Sequence, residues 1–259
     1  LKVASMKLTL IGNGFMAQAL ARGLVNNFEV EIIGRDEKKL NDIKTKIPNI
    51  EVKVMSDAEN ITDKNIIFCV KPYALQSVAA RLEGQANIIF SILAGTTIDS
   101  LKKQIKSKFY IRSMPNVAAS VLGSTTTITG DKEAKNLAME LFNHIGKTVW
   151  VNTENQLDIA TAVAGSGPAF LSLIAESLSD GAVKAGLERQ ISNELVQGLL
   201  SGYAKLLETS HPAIIKDSVM SPGGTTAAGM GKLEEGAVRD SMIKAIEAAY
   251  EKACEIGKK

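Results

Sequence analysis

Short apolar runs alternate with segments of helical periodicity over the first half of the chain. The apolar runs predict strands at Lys7–Ile11, Glu29–Ile33, Ile66–Val70, Asn87–Leu93, Phe109–Arg112, Thr125–Thr129 and Thr148–Val151. The segments between them predict helices at Gly14–Asn27, Asp36–Lys46, Pro72–Leu82, Ile98–Ile105 and Lys132–His144. Strands and helices that alternate in this way specify a doubly wound, parallel sheet with right-handed crossovers.

The pattern changes near Asn152, where Thr153 and Gln156 have the spacing of a helix capping box. No strand-like run follows, and the periodicity predicts helices at Gln156–Ala164, Pro168–Ala185, Gln190–Glu208 and Ala237–Ile256. We therefore expect an α/β domain over residues 6–151 and an all-helical domain over residues 152–259. Leu1–Ser5, which precede the first Met, are left out of this prediction.

The helix predicted at Pro168–Ala185 carries few charges, so it should be buried on nearly all sides. A small helical domain cannot easily cover such a helix by itself. We therefore expect the helical half to pack against its copy in an oligomer.

Composition narrows the function classes. The chain has 259 residues and a net charge of +2, with no basic stripe interleaved with aromatics, so no nucleic-acid partner is expected. We find no secretory leader and no apolar run long enough to span a bilayer, which predicts a cytoplasmic protein with no membrane partner. Cys69 and Cys254 lie far apart without metal-ligand spacing, so we expect no metal and two buried, reduced thiols.

A glycine-rich segment, Gly12-Asn13-Gly14-Phe15-Met16-Ala17, follows the first predicted strand and opens the first helix. Gly12 permits the tight turn, Gly14 lets the backbone approach a pyrophosphate, and Ala17 lets the helix pack close to the sheet. The helix N-terminus then faces the phosphates. In this context the pattern predicts a Rossmann-type, dinucleotide-binding domain.

The second strand indicates which dinucleotide binds. NAD sites place Asp or Glu at the tip of this strand, whereas here Gly34 and Arg35 follow it. A guanidinium suits the 2′-phosphate of NADP, so we assign Arg35 to that phosphate, with a solvated loop charge as the alternative. Asp36 is a rival for the acidic role, but we interpret it as the cap of the next helix.

Two further strand ends should line the same crevice. Lys71 follows Val70 and is placed to touch phosphate or ribose, while Pro72 starts the next helix. Ala94 and Gly95 end another strand, where small residues leave room for a nicotinamide ring.

In the helical half, Ser221-Pro222-Gly223-Gly224-Thr225-Thr226 stands out from the scaffold. A helix should start there, so backbone amides would converge on a carboxylate or phosphate. A plain sharp turn is the alternative. His144 and His211 are the only histidines, so a reducible substrate would bring its own proton or take one from a hydroxyl or water.

With these features the chain resembles the pyrroline-5-carboxylate reductases from Met6 to its end. The resemblance rests on six segments, of which the last two are the most specific: 12–17, 70–72, 94–95, 112–116 (Arg-Ser-Met-Pro-Asn), 165–170 (Gly-Ser-Gly-Pro-Ala-Phe) and 217–226. It implies reduction of a cyclic imine carboxylate, 1-pyrroline-5-carboxylate, to L-proline with NADPH or NADH. It also implies a dimer with interlocked helical domains, often assembled into a decamer.

The resemblance further implies roles for individual residues. The substrate carboxylate would be held by Ser221, Gly223, Gly224, Thr225 and Thr226, with the Thr226 hydroxyl near the ring nitrogen as the catalytic group. The cofactor would be held by Gly12, Asn13, Gly14, Phe15, Met16, Ala17, Arg35, Cys69, Val70, Lys71, Pro72 and Ala94.

The sequence also bears on three alternative functions. A 3-hydroxyacid dehydrogenase is disfavoured because its catalytic Lys and Asn pair is absent near Gly165–Phe170. A reductase of another cyclic imine, such as piperideine carboxylate, stays open because its pocket chemistry would be similar. So does a redox-sensing module that binds NADPH without turnover, although the loop Ser221–Thr226 argues against it.

Overall fold

The strands of the sheet lie largely where the apolar runs predict them. The computed structural model describes residues 6–257. In chain order, the strands of this part are β1 Lys7–Ile11, β2 Glu29–Gly34, β3 Ile50–Val54, β4 Glu59–Asn60, β5 Asn65–Phe68, β6 Leu82–Glu83, β7 Ala86–Ser91, β8 Ser107–Met114, β9 Ser124–Gly130 and β10 Gly146–Trp150. Eight form one sheet in the order β10-β9-β8-β7-β5-β1-β2-β3, and β4 pairs with β6.

The doubly wound architecture is confirmed, but the expectation of an entirely parallel sheet was wrong at one pair. β8 and β9 are antiparallel, whereas the other pairs of the large sheet are parallel. Only residues 115–123 connect these two strands, with a 3-10 turn at Val117–Val121. This connection is too short for the crossover that a parallel pair needs.

The helices on this sheet are α1 Phe15–Leu24, α2 Glu37–Lys46, α3 Leu75–Ala79, α4 Ile98–Gln104, α5 Lys135–Asn143 and α6 Glu154–Ala160. The predicted helix Pro72–Leu82 is shorter than expected, because a 3-10 turn precedes α3 and β6 begins at Leu82. The side chain of Asp36 accepts a hydrogen bond from the Lys39 N–H at 3.0 Å, which confirms that it caps α2. At α6, Thr153 accepts from the Gln156 N–H at 3.1 Å, whereas the Gln156 side chain accepts from Asn152 rather than from Thr153.

Successive strand residues contribute to two different cores, because side chains alternate between the faces of a sheet. Leu10 and Ile32 belong to one buried cluster, together with Phe90 and Phe142. Their neighbours Ile11 and Ile33 belong to the other. Burial on both faces explains why apolar residues predominate in these strands.

By contacts, the chain divides into two units. One comprises the residues up to Ser166 together with those from Ala249 onward, and the other is Gly167–Ala248. The predicted division at residues 151/152 follows the change in secondary structure and stays a proposal for the domains. The contact boundary lies later because α6 and the π-helical turn Thr161–Gly165 pack beside β8 and β9.

The second part is helical, as expected. Its helices are α7 Gly167–Lys184, α8 Arg189–Leu206, α9 Pro212–Ser218, α10 Thr225–Glu235 and α11 Val238–Gly257, the last of which belongs to the first unit from Ala249 onward. The helix start predicted after Gly224 is therefore confirmed.

Helix α7 is not covered on all sides in the single chain, where Leu173, for example, is 63% exposed. This agrees with the expectation that a small helical domain cannot cover this helix by itself. Among residues 6–257, one helical stretch, Glu154–Lys184, is long and apolar enough to cross a membrane by length and composition alone, which corrects the expectation that no such run exists. Cys69 and Cys254 are free thiols, but each is only half-buried.

Candidate active site

Two adjoining clefts follow the carboxyl ends of the strands in the first unit, and they share Gly14 and Cys69–Lys71. We call them together the groove. Its β2 end is lined by Gly12, Asn13, Gly34, Arg35, Met55, Tyr73 and Val78. Its β7 end is lined by Phe15, Met16, Pro72, Ile92, Ala94, Met114 and Pro115. The structure thus brings eleven of the twelve predicted cofactor residues to one groove, and the twelfth, Ala17, is buried behind it in α1.

The glycines of the first loop are required for different reasons. Gly12 has a φ of +119°, and a Cβ built on it would lie 2.8 Å from the backbone C and O atoms of Cys69. Any side chain there would be strained and would also displace the end of β5. A Cβ built on Gly14, which precedes α1, would meet nothing within 4 Å, so glycine at this position leaves the mouth of the groove open at the helix N-terminus.

The cations of the groove are available to a ligand. Arg35 and Lys71 are exposed, and neither forms a salt bridge within the part of the chain that the structure describes. The nearest acid in sequence, Asp36, is engaged as the cap of α2. The β2 end of the groove therefore presents positive charge, as a phosphate requires.

Cys69 contributes to the groove through its backbone, and its thiol is not a nucleophile. Its N–H donates to the carbonyl of Ile11 at 2.8 Å, which fixes the end of β5 against the first loop. Although the residue as a whole is partly exposed, burial of its sulfur raises the pKa of the Cys69 thiol well above its usual range.

Sequence reasoning gave no role to Arg112, which is 1% exposed in β8. Its Nη1 donates to Oε1 of Glu154 and its Nη2 to Oδ1 of Asp158, each at 2.9 Å. The same Glu154 oxygen accepts from the Ile98 N–H at 2.9 Å, which joins α4 to α6. Arg112 therefore holds together the elements that flank Met114 and Pro115 at the β7 end of the groove.

Asn116, four residues further along the same segment, is a second residue of this kind. Its Nδ2 donates to the carbonyl of Ala164 at 3.0 Å, and its Oδ1 accepts from the Ala118 N–H at 3.1 Å. Asn116 thus links the π-helical turn to the end of β8 by hydrogen bonds. The signal for both residues was the segment 112–116, which sequence reasoning used only for the resemblance.

In the second unit, the residues predicted to hold the substrate form one loop at the start of α10. Gly223 has a φ of +72°, and the Gly224 N–H donates to the carbonyl of Ser221 at 3.0 Å. Gly224 caps α10 without a side-chain hydrogen bond, so the N–H groups of the first helical turn remain for another acceptor. Thr226 is half-buried and, together with Tyr203, lines a separate apolar cleft. This arrangement suits a small carboxylate that carries an apolar ring.

The histidines have structural roles. Nδ1 of His211 accepts from the Ala213 N–H at 3.2 Å and caps α9, while His144 makes an edge contact with Phe28. Among residues 6–257, no group of three or more His, Cys, Asp or Glu side chains could hold a metal ion. Neither histidine is among the residues that line the groove or the cleft beside Thr226.

A Rossmann sheet with a strand-end groove and a basic β2 tip defines an NADP-dependent oxidoreductase, and comparisons with known proteins agree. A family model described as NADP oxidoreductase, coenzyme F420-dependent, matches residues 7–95, and one described as pyrroline-5-carboxylate reductase dimerisation matches residues 154–256. The chain belongs to the pyrroline-5-carboxylate reductase family, so the resemblance seen in the sequence is confirmed.

Individual relatives match over nearly the whole chain. A pyrroline-5-carboxylate reductase of Synechocystis sp. is 38% identical over 98% of this chain and 100% of its own length. The crystal structure of the Streptococcus pyogenes enzyme covers 97% of this chain and 99% of that one, with a TM-score of 0.85 and 29% identity. The Plasmodium falciparum enzyme, solved with NADP bound, covers 97% and 98%, with a TM-score of 0.80 and 28% identity.

Proposed function

We propose that the chain reduces 1-pyrroline-5-carboxylate to L-proline with NADPH, the last step of proline biosynthesis. Membership of the reductase family supports the reaction. The observation that carries the cofactor assignment is the β2 tip, where Arg35 forms no salt bridge with any of residues 6–257 and where Gly34 stands in place of the acid of an NAD site. NADH is the alternative electron donor.

The groove residues position the cofactor. The N–H groups at the start of α1 and the open space beside Gly14 suit the pyrophosphate, and Arg35 suits the 2′-phosphate. Ala94 leaves room for the nicotinamide beside Met114 and Pro115. When bound there, NADPH supplies the hydride, and the protein contributes placement and the exclusion of water.

The loop Ser221–Thr226 binds the substrate in this proposal. Its N–H groups hold the carboxylate, and the Thr226 hydroxyl hydrogen-bonds the ring nitrogen. A cyclic imine is basic enough to arrive protonated, and an iminium accepts hydride readily, so no strong general acid is needed. Proximity and orientation then supply on the order of 7–11 kcal/mol of the barrier at best.

A direct assay tests the reaction. Purified enzyme should oxidise NADPH, followed by its absorbance, when 1-pyrroline-5-carboxylate is added, with proline as the product. A 3-hydroxyacid assayed in reverse is the control for the dehydrogenase alternative. Tight NADPH binding without oxidation would instead support another imine, such as piperideine carboxylate, or the redox-sensing module.

Replacing Arg35 by alanine should weaken NADPH binding by roughly 10- to 100-fold, since a hydrogen-bonded charge contributes about 1.5–3 kcal/mol. NADH, which lacks the 2′-phosphate, should be affected by less than about threefold on the same reasoning. Dissociation constants for both cofactors, from quenching of protein fluorescence, check the prediction. Lys38→Ala, an exposed lysine of α2, is the matched control, and an unchanged NADPH-to-NADH ratio in Arg35→Ala would refute the placement of Arg35.

We further propose that the assembly is a dimer through the helical unit, with the decamer as a larger form, in the cytoplasm and without nucleic-acid or membrane partners. The exposed apolar face of α7 lies inside the segment that matches the dimerisation model, which supports a second copy of the chain rather than lipid as its cover.

Replacing Leu173 by glutamate should shift the protein toward the monomer, because a charge buried in an apolar interface is costly. Light scattering after gel filtration measures the mass. Val54→Glu places the same charge on an exposed apolar residue of β3 and should leave the mass unchanged. If the Leu173→Glu protein kept its mass, α7 would not lie in the dimer interface. If the unmodified protein floated with anionic vesicles, lipid would be the better candidate for the cover of α7.

A further inference from the structure

The side chain of Asn13 fills the space at the tip of β2. A Cβ built on Gly34, the last residue of β2, would lie 2.7 Å from Nδ2 of Asn13 and 2.9 Å from its Cγ. Gly34 is not among the residues with positive φ, so glycine is needed here for space and not for backbone conformation. Any larger residue at position 34 must push the Asn13 amide out of its place.

The amide of Asn13 is in an unusual state. Its Nδ2 is buried and has no hydrogen-bond partner among residues 6–257. A buried donor without a partner costs about 1–3 kcal/mol, so some compensating role is expected. Both Asn13 and Gly34 line the groove, beside Arg35.

The location of this pair matters for cofactor choice. In dinucleotide-binding folds that prefer NAD, an Asp or Glu at the tip of the second strand binds the ribose hydroxyls. Here the neutral amide, coming from the first loop, occupies the space that a side chain from Gly34 would enter. A carboxylate there would repel a 2′-phosphate, whereas an amide does not.

We propose that Asn13 and Gly34 form a specificity-determining pair for the phosphorylated cofactor. Asn13 blocks the position of the acid that selects NAD, and Gly34 makes room for Asn13. Arg35 then meets the 2′-phosphate without a competing carboxylate. This inference rests on the proposed placement of NADPH in the groove.

A double-mutant cycle tests the steric half of the pair. Gly34→Ala alone should raise the dissociation constant of NADPH by roughly tenfold, because the displaced amide enters the groove. In the Asn13→Ala background, the same Gly34→Ala change should alter the dissociation constant of NADPH by less than about twofold. Melting temperatures without cofactor show that each variant is folded.

A second pair of variants tests specificity. In the Asn13→Ala/Gly34→Asp protein, the new carboxylate has room, so the ratio of kcat/KM for NADPH to that for NADH should fall by about a hundredfold. Gly34→Asp alone should weaken the binding of both NADPH and NADH, because the displaced Asn13 amide obstructs the groove. If Gly34→Ala does not fold by itself, this comparison between Asn13→Ala/Gly34→Asp and Asn13→Ala decides the question.

The outcomes separate the inference from the proposed function. Suppose that Arg35→Ala weakens NADPH binding, but the effects of the Asn13 and Gly34 substitutions are additive and the NADPH-to-NADH ratio of kcat/KM stays constant. The role of the Asn13–Gly34 pair is then refuted, and the assignment of NADPH to the groove stands. If Arg35→Ala and the Gly34 variants all leave NADPH binding unchanged, the cofactor lies elsewhere and both proposals fail.

Discussion

Replacing Arg112 by alanine should destabilise the protein by about 3 kcal/mol, the largest effect on stability expected from one substitution here. Removing one partner of a buried ion pair typically costs about 3–5 kcal/mol, because the remaining charge loses its compensation. We expect the lower end because the Glu154 side chain is 34% exposed and that of Asp158 22%, so water partly solvates the stranded carboxylates.

The measurement is thermal or urea unfolding of the purified protein. For a chain of this size, about 3 kcal/mol corresponds to a melting temperature lower by roughly 6–12 °C. Lys108→Ala breaks an exposed pair with Asp63 at 2.8 Å and should cost less than about 1 kcal/mol. Arg112→Met, which retains apolar volume but not charge, should lose nearly as much stability as Arg112→Ala. A loss below about 1 kcal/mol in Arg112→Ala would contradict the account.

Arg112 also shows what the sequence did not reveal. In the sequence it bounds an apolar run and looks like a charge at the end of a strand. Its partners lie 42 and 46 residues away, on a helix whose place beside β8 no local pattern encodes. Long-range ion pairs of this kind become visible only once the topology is known.

Features with a local cause were predicted well. The apolar pattern located β1, β2, β5 and β7. Burial on both faces makes Ile66–Phe68 in β5 a continuous apolar run, whereas β2 alternates around Glu31. The glycine loop followed from backbone sterics at Gly12. By contrast, the edge strand β3 was missed, since Glu51 and Lys53 are exposed and interrupt its apolar character.

The burial of helices was the least predictable property. The low charge of α7 correctly indicated a surface that needs a cover, but the cover is absent from the chain itself. The loop that we propose binds the substrate was predicted from Pro-Gly-Gly and the helix start, yet its apolar neighbour Tyr203 comes from α8. Composition shows that an apolar surface must be covered, whereas the fold or the oligomer determines which residues cover it.

Replacing Thr226 by alanine should lower kcat by about a hundredfold, because the loss of one preorganised hydrogen-bond donor typically costs about 10²–10³ in rate. The dissociation constant of NADPH should change by less than about twofold, since Thr226 is not among the residues that line the groove. Steady-state kinetics with 1-pyrroline-5-carboxylate and direct NADPH titration measure the two quantities separately.

Two neighbouring variants make the Thr226 test specific. Thr226→Ser retains the hydroxyl and should keep most of the activity, whereas Thr225→Ala removes an exposed neighbouring hydroxyl and should affect kcat far less. If Thr226→Ala lost turnover and NADPH affinity equally, the residue would be supporting the fold. If it lost neither, the hydroxyl would have no part in the reaction and the loop would act through its backbone N–H groups alone.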